Sequence, residues 1–366
     1  MPIYMDLHIL PGVKAKDVAE AHLMDTMFEE EHNCKCMTYW VDESRGHVFC
    51  LIDAPDKEVV VGLHNKSHGL VPHKIIEVQT SIVESFLGRV NDPEETPVTE
   101  TGLKLINDPS YRIIMVTILE DPILLKNKLG KEKANELLNR YKDFVRQELL
   151  NFKGQEAEHS GRGLVASFIS ANNAISCALS IQQKIPESDR EMLGLRIGIN
   201  GGEPVSTNEK LFGDTIQLAK RLCFIAKNYK VGLTSGVIEL ASDDHFQNHN
   251  DALLILSPQD EKLLSLLFNK LEENWQNPGF NVADYCQIMA MSKSQLYRKI
   301  LALSGFSPNE LLSEFKLEKA KELMRTKQYN VTQITFDTGF SSPSYFTKCF
   351  KKKYGLLPLT YMDMLS

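Results

Sequence analysis

His64 and His68 stand four residues apart in a stretch of helical period, so both imidazoles lie on one helix face, where they can share a metal ion. They have company. Seven of the ten histidines precede Lys74, with Cys34, Cys36 and Cys50 among them. His22 and Asp25 are three apart on another helical stretch, and His32, Cys34 and Cys36 alternate, which puts them on one face if that stretch is extended. A lone surface histidine is usually only a polar residue, and a buried cysteine only a small hydrophobe. The cluster therefore carries the expectation of metal binding, and no single member does, because a fixed four-ligand spacing is missing. His47 and His73 read as incidental. Neutral imidazole is the ligand form, so affinity is expected to fall as pH drops through about 6.5.

A second chemistry lies at the other end of the chain. Asn281–Ser292 (NVADYCQIMAMS) lies over Asn330–Ser341 (NVTQITFDTGFS) at a spacing of 49 residues. Each copy opens on Asn as a helix cap and places an apolar residue, Tyr285 or Ile334, one turn on. Each reaches a small residue, Ala290 or Gly339, where a tight turn tolerates little side chain, and then a Ser that can cap a second helix. On that second helix Leu296 and Ile300, or Phe346 and Phe350, turn inward. Ser294, Tyr297 and Arg298, or Ser344, Thr347 and Lys348, turn outward, as reading the DNA major groove requires. Pro308–Thr326 reads as one amphipathic helix joining the two reading heads.

The 366 residues allow two or three domains, and 43% hydrophobic with 24% charged residues is ordinary globular composition. The net charge of −7 argues against nucleic acid until its distribution is read. Residues 261–366 hold 14 Lys+Arg against 10 Asp+Glu, a net of +4, and the rest of the chain nets −11. One basic segment on an acidic body fits a protein of which one domain alone meets phosphate. Seven scattered cysteines suggest reduced thiols. With no signal-peptide pattern and no apolar run of membrane length, the expected location is the cytoplasm.

Asn91–Gly102 and Ser242–Asp251 read as linkers, dividing the chain into 1–90, 103–241 and 258–366. The first segment reads βαββαβ, a ferredoxin-like α+β order, with strands at Ile3–Leu10, Lys35–Val41, His47–Ile52 and Lys74–Val78 and helices at Ala15–His32 and Asp56–His68. The middle reads α/β, from a strand at Arg112–Leu119 to one at Leu195–Ile199. The third is all-α.

Three resemblances sharpen these readings. Gly339–Tyr361 (GFSSPSYFTKCFKKKYGLLPLTY) resembles the signature of the AraC family of regulators, which implies a double helix-turn-helix over 258–366 that reads double-stranded DNA through Ser294, Tyr297, Arg298, Ser344, Thr347 and Lys348. Cys286, Thr335 and Ala290 depart from the family pattern. Residues 112–241 resemble the catalytic domain of class III nucleotide cyclases, through Val116–Asp121, Gly161–Phe168, Leu195–Glu203 and Phe212–Leu222. That likeness puts Asp121 at the first metal-binding carboxylate, but Arg162 stands where the second belongs, Glu158 replaces the base-reading Lys and Gln217 the Asn, and only Arg221 is kept. A guanidinium ligates no metal, so the domain is expected to be cyclase-like and inactive. Its remaining roles are a structural or dimerisation module, or a sensor in which Arg162, Arg196 and Arg221 hold an anion.

Residues 1–80 resemble a family of small ferredoxin-like nickel-binding domains, in MDLH (Met5–His8), AHLMD (Ala21–Asp25), TYWVDESRG, DAP (Asp53–Pro55) and the HxxxH helix. The implied ligands are His8, His22, His64 and His68, for nickel or another divalent transition metal. The whole reads as a regulator responding to a metal or small effector, with homodimerisation left open. The rivals are a nucleotide cyclase with a DNA-binding tail and a metal-handling protein localised on DNA.

Overall fold

The structure, a computed structural model, describes residues 1–97, 99, 103–160, 162–226, 230–241 and 251–365. Gly161 of the expected middle hairpin, and most of the second expected linker, lie outside the described residues. Among the described residues no helix is long and apolar enough to cross a membrane.

The first segment folds as β1 (Ile3–Ile9), α1 (Ala15–Met27), α2 (Glu29–His32), β2 (Lys35–Asp42), β3 (His47–Asp53), α3 (Lys57–Ser67), β4 (Lys74–Val78) and α4 (Thr80–Leu87). Its four strands form one antiparallel sheet in the order β2-β3-β1-β4. The strand and helix order is the expected one, although the first helix breaks at Phe28 and α4 was not anticipated. Asp56 caps α3 by accepting from the Val59 N–H at 2.9 Å, and Asp42 closes the β2–β3 turn by accepting from the N–H groups of Ser44 and Arg45.

Strand β1 is buried on both faces. Its even-numbered side chains, Tyr4, Asp6 and His8, face the side of the sheet covered by α1 and α3. Met5 and Leu7 point the other way, into a core shared with Val205, Leu211, Phe212 and Ile216 of the middle segment.

That middle segment follows as β5 (Arg112–Ile118), α5 (Pro122–Leu129), α6 (Lys131–Asn151), β6 (Gln155–Ser160), β7 (Gly163–Phe168), α7 (Ala171–Lys184), α8 (Glu187–Leu193), β8 (Arg196–Gly202), α9 (Gly213–Ile225), β9 (Val231–Leu233), α10 (Ser235–Glu239) and β10 (Leu253–Ile255). Its six strands run in the order β10-β9-β8-β5-β7-β6. The pairs through β5, β7, β8 and β6 are antiparallel, and β8-β9 and β9-β10 are parallel. The sheet extends to Ile255, past the boundary expected at 241, because a three-residue strand after a polar run leaves no periodic signal. Helices α6 and α7 cover one face of the sheet. Helix α9 lies so close on the other that a Cβ at Gly198 of β8 would meet the Ala219 carbonyl oxygen at 2.2 Å.

The C-terminal part is helical throughout: α11 (Pro258–Asn274), α12 (Val282–Ile288), α13 (Lys293–Ser304), α14 (Pro308–Thr326), α15 (Val331–Asp337), α16 (Pro343–Tyr354) and α17 (Pro358–Asp363). Both expected Asn caps form, Asn281 accepting from Ala283 and Asn330 from Gln333. The second helix of the second copy is capped by Ser342 rather than Ser341, since the inserted residue shifts the cap by one. Helix α14 gives Leu311, Leu312 and Phe315 to the core of the first repeat, and Leu317, Ala320 and Met324 to that of the second.

The two tight turns differ in their tolerance. Ala290 and Gly339 both adopt left-handed backbone, with φ of 49° and 69°. A Cβ at Gly339 would lie 2.6 Å from the Trp275 carbonyl oxygen, whereas Ala290 already carries one. Gly339→Ala should therefore destabilise the C-terminal helices by about 1–3 kcal/mol, and Ala290→Gly should be neutral or slightly stabilising. Denaturant unfolding followed by Trp275 fluorescence checks this; equal losses from the two changes would disprove it.

Candidate functional site

The groove formed by β1, β3, α1 and α3 gathers six polar side chains. Asp6 and His8 come from β1, Cys50 from β3, His64 and His68 from the last turn of α3 and its cap, and Asp25 from α1. Five of the six are buried, and His64 and Asp6 are fully so. Donor atoms of Asp6, His8, Cys50 and His64 all lie within 4.8 Å of one another, as do those of Asp25, His64 and His68. His64 is common to both sets. Its Nε2 is 2.8 Å from Asp6 Oδ2, and its Nδ1 is 3.1 Å from His68 Nε2 and 3.3 Å from Asp25 Oδ2. Asp6 is fixed in turn by the Cys50 backbone N–H, which donates to Oδ1 at 3.1 Å.

Burial alone would push the His64 imidazole down, but the carboxylates of Asp6 and Asp25 outweigh it and hold the ring up to about 10. Burial likewise opposes ionisation of both acids, yet His8 and His64 keep Asp6, and His64 and His68 keep Asp25, well below the usual carboxylate range. Burial, then Asp6, raises the Cys50 thiol far above its ordinary value. The metal-free site is thus a protonated imidazole between two carboxylates.

Two observations fit this set to a metal ion. His8 Nε2 is buried with no hydrogen-bond partner, lying 3.4 Å from Asp6 Oδ1 outside bonding geometry. A cavity of about 50 Å³ opens beside it, lined by His8, Asp25, Cys50 and His68. Imidazole, thiolate and carboxylate together suit a borderline divalent ion such as nickel or zinc.

Of the four histidines expected to ligate, the structure brings together His8, His64 and His68. His22 borders the cavity but turns to Asp92, 3.6 Å from its Oδ2, and stacks near Tyr39. Asp6 lies outside the expected ligand set, and Cys50, grouped with the histidines in the sequence, joins them. The signal available for Asp6 was its position two residues before His8 on a strand, which forces the two onto one face. His47 and His73 have structural bonds elsewhere, His47 with Glu203 at 2.6 Å and His73 accepting from the Ile9 N–H at 3.1 Å. Cys34 and Cys36 stay with Glu29, apart from the cluster.

At the C-terminal end, Leu296, Ile300, Phe346 and Phe350 are fully buried, while Ser294, Tyr297, Arg298, Ser344 and Lys348 are exposed and Thr347 is half-buried. The outward face expected of each second helix is therefore open on both α13 and α16. Exposed Lys351 and Lys352 extend the basic surface of α16.

A third cluster joins the middle segment to these helices. Asp121, 1% exposed, caps α5 through Oδ1. Its Oδ2 accepts from Arg325 and from the Tyr361 hydroxyl at 2.7 Å, and lies 3.7 Å from Lys321 Nζ. Arg162 pairs with Glu318 at 3.1 Å, and Glu318 also meets Lys321, Lys353 and the Tyr354 hydroxyl. The carboxylate that the sequence resemblance puts at a metal-binding position thus faces protein cations instead.

Residues 285–364 match the family model of the Helix-turn-helix domain, and residues 4–78 match that of the Nickel responsive protein SCO4226-like. Over 113 residues the chain is 38% identical to Histidine kinase P4 of Formosa agariphila, covering 31% of this chain and 8% of that protein. It is 31% identical over 97 residues to the Raffinose operon transcriptional regulatory protein RafR of Pediococcus pentosaceus, covering 26% of this chain and 35% of that one. A bacterial light-regulated adenylyl cyclase aligns with 67% of this chain and 88% of its own at 14% identity, with a TM-score of 0.32, too low to bear on the fold. The chain thus spans well under half the length of the curated relatives it matches here.

The proton on His64 sets a pH dependence for the metal-free protein. A group whose folded value is raised adds stability that is complete below the ordinary imidazole value of about 6.5. That stability is lost as pH climbs through the folded value of about 10. Thermal melting in chelator across that window should show a progressive fall, and His64→Gln should flatten it. A melting temperature that rises over the same window would contradict the assignment.

Proposed function

We propose that the chain is a sequence-specific DNA-binding transcription regulator whose N-terminal unit responds to a divalent transition metal, nickel first. The observation that carries this reading is the convergence of His8, His64 and His68 with Asp6, Asp25 and Cys50 within a segment matching a nickel-responsive family, in one chain with two open helix-turn-helix faces. Division into 1–90, 103–241 and 258–366, with a ferredoxin-like fold in the first and a cyclase-like fold in the second, belongs to the same proposal. The sheet order β2-β3-β1-β4 supports the former. A cytoplasmic location and DNA as the partner belong to the same reading.

The bound ion supplies a multidentate cross-link between sheet and helix. His8, His64 and Cys50 would hold it, with Asp6 completing the set, and the His64 proton would leave as the ion enters. Competition with that proton extends above the ordinary imidazole value, so affinity should keep rising with pH beyond 6.5, toward the about 10 of His64. Tightening the cluster acts on β1, whose alternate residues Met5 and Leu7 share a core with α9 residues Ile216, Ala219 and Cys223. The residue before Cys223, Leu222, packs with the first repeat. This gives metal occupancy a packed route to the reading heads.

The middle unit is proposed to be without cyclase activity, since Arg162 and the Arg325, Lys321 and Tyr361 partners of Asp121 leave no pair of acids for two metals. Incubation with ATP or GTP and magnesium or manganese should give no cyclic product. Turnover that disappears in Asp121→Ala would overturn this.

Calorimetric titration of the full-length metal-free chain with nickel should show a single site with proton release. His64→Ala should abolish it and His8→Ala should weaken it by about 10- to 100-fold, while His22→Ala should bind as the parent does. Equal effects at His22 and His64 would mean scattered surface binding. On DNA, Arg298→Ala should cost about 1–3 kcal/mol at one base position, whereas Lys352→Ala should weaken all sequences alike and lower the salt slope by about 1. Binding-site selection in two salts, with and without nickel, measures both; uniform losses from the two variants would remove Arg298 from base reading.

A further inference from the structure

A cavity of about 370 Å³ lies where the middle sheet meets the C-terminal helices. Its wall is aromatic and comes from both sides of the junction, Phe224 of α9 facing Phe268 of α11 at 5.2 Å between ring centres, with Phe315 of α14 6.0 Å beyond. Val116, Leu164 and Val165 of β5 and β7 add an apolar floor.

The charges lining it are unevenly matched. Glu318 is committed to Arg162 and Lys321, Glu322 to Lys319, and Glu272 to Gln217 at 3.0 Å and Arg221 at 3.7 Å. Arg196 and Lys220 have no carboxylate within 4.0 Å among the described residues, and the exposed Glu158 is the one lining acid in the same position. Arg221, only 6% exposed, donates to Asn269 Oδ1 at 2.6 Å yet keeps a buried Nε with no hydrogen-bond partner. A buried donor left unmatched costs stability that a ligand acceptor restores. Aromatic walls, surplus cations and an unmet donor describe a site for a flat, negatively charged small molecule.

We infer that this cavity binds a small organic anion with a flat unsaturated body, its ring against Phe224, Phe268 and Phe315 and its anionic group toward Arg196, Lys220 and the Nε of Arg221. The site is separate from the histidine cluster, so it adds a second input to the regulator proposed above. The occupant touches α9 on one side and α11 and α14 on the other. Its binding energy therefore depends on how the middle unit and the first reading head are set against each other.

The test uses the full-length chain and two fluorescent probes of similar shape, 8-anilinonaphthalene-1-sulfonate, which is anionic, and N-phenyl-1-naphthylamine, which is neutral. The anion should bind saturably at one site per chain and more tightly than the neutral probe. The double variant Arg196→Glu, Lys220→Glu changes two solvent-accessible side chains. It should weaken the anion by about tenfold or more while leaving the neutral probe unchanged. Phe268→Leu should weaken both. An anion affinity unchanged by the charge reversal, or an equal loss for both probes, would overturn the inference. Nickel titration of the same variants should match the parent, so a failure here stays distinguishable from a failure of the metal response.

Discussion

Helix α14 packs along three stripes, and the arrangement of the molecule depends on that. One stripe fills the core of the first repeat, another fills the second, and a third carries Glu318, Lys321 and Arg325 onto Arg162 and Asp121 of the middle unit. Lys321 is 1% exposed, and burial lowers its pKa even with Glu318 and Asp121 at hand. Charges buried this deeply are tolerated only while every partner is present, so the contact tolerates little sliding. The distance between the two reading heads and their orientation on the middle unit are therefore set by the same nineteen-residue helix.

Strand β1 plays a comparable role at the other end. Its pleat sends Asp6 and His8 toward α1 and α3, and Met5 and Leu7 toward the middle unit, so a change in either environment is felt by the other through a single backbone. His47 to Glu203, and Lys74 to the Thr207 and Asn208 carbonyls, add polar contacts along the same boundary. The proposed metal cluster is therefore built into the seam between two units, not placed on a detached module.

Much of this was legible in the chain. The helix-turn-helix repeat could be read down to which side chains face out, because helical periodicity and Asn caps are local signals that tertiary packing did not override. The pairing of His64 with His68 was local too. His22 shares α1 with Asp25 but stands outside the two close donor sets and beside Asp92, and contacts across seventy residues leave no trace in spacing. Asp6 and Cys50 needed the register of β1 on β3, where the neighbouring pair Met5 and Leu51 fixes their approach. The contacts of Asp121 with Arg325 and Tyr361 span more than two hundred residues, and no local pattern announces them.

The ion pair of Arg162 with Glu318 also bears on where this sequence can go next. Putting an acid at position 162 would remove a cation from Glu318 and set three carboxylates around Lys321 and Arg325, in a region where unpaired charge is strongly destabilising. Any mutational path toward a two-metal centre must first dismantle the seat of α14, and with it the spacing of the reading heads. The arginine thus works as a latch: each later substitution that relies on the docked helix makes position 162 harder to change.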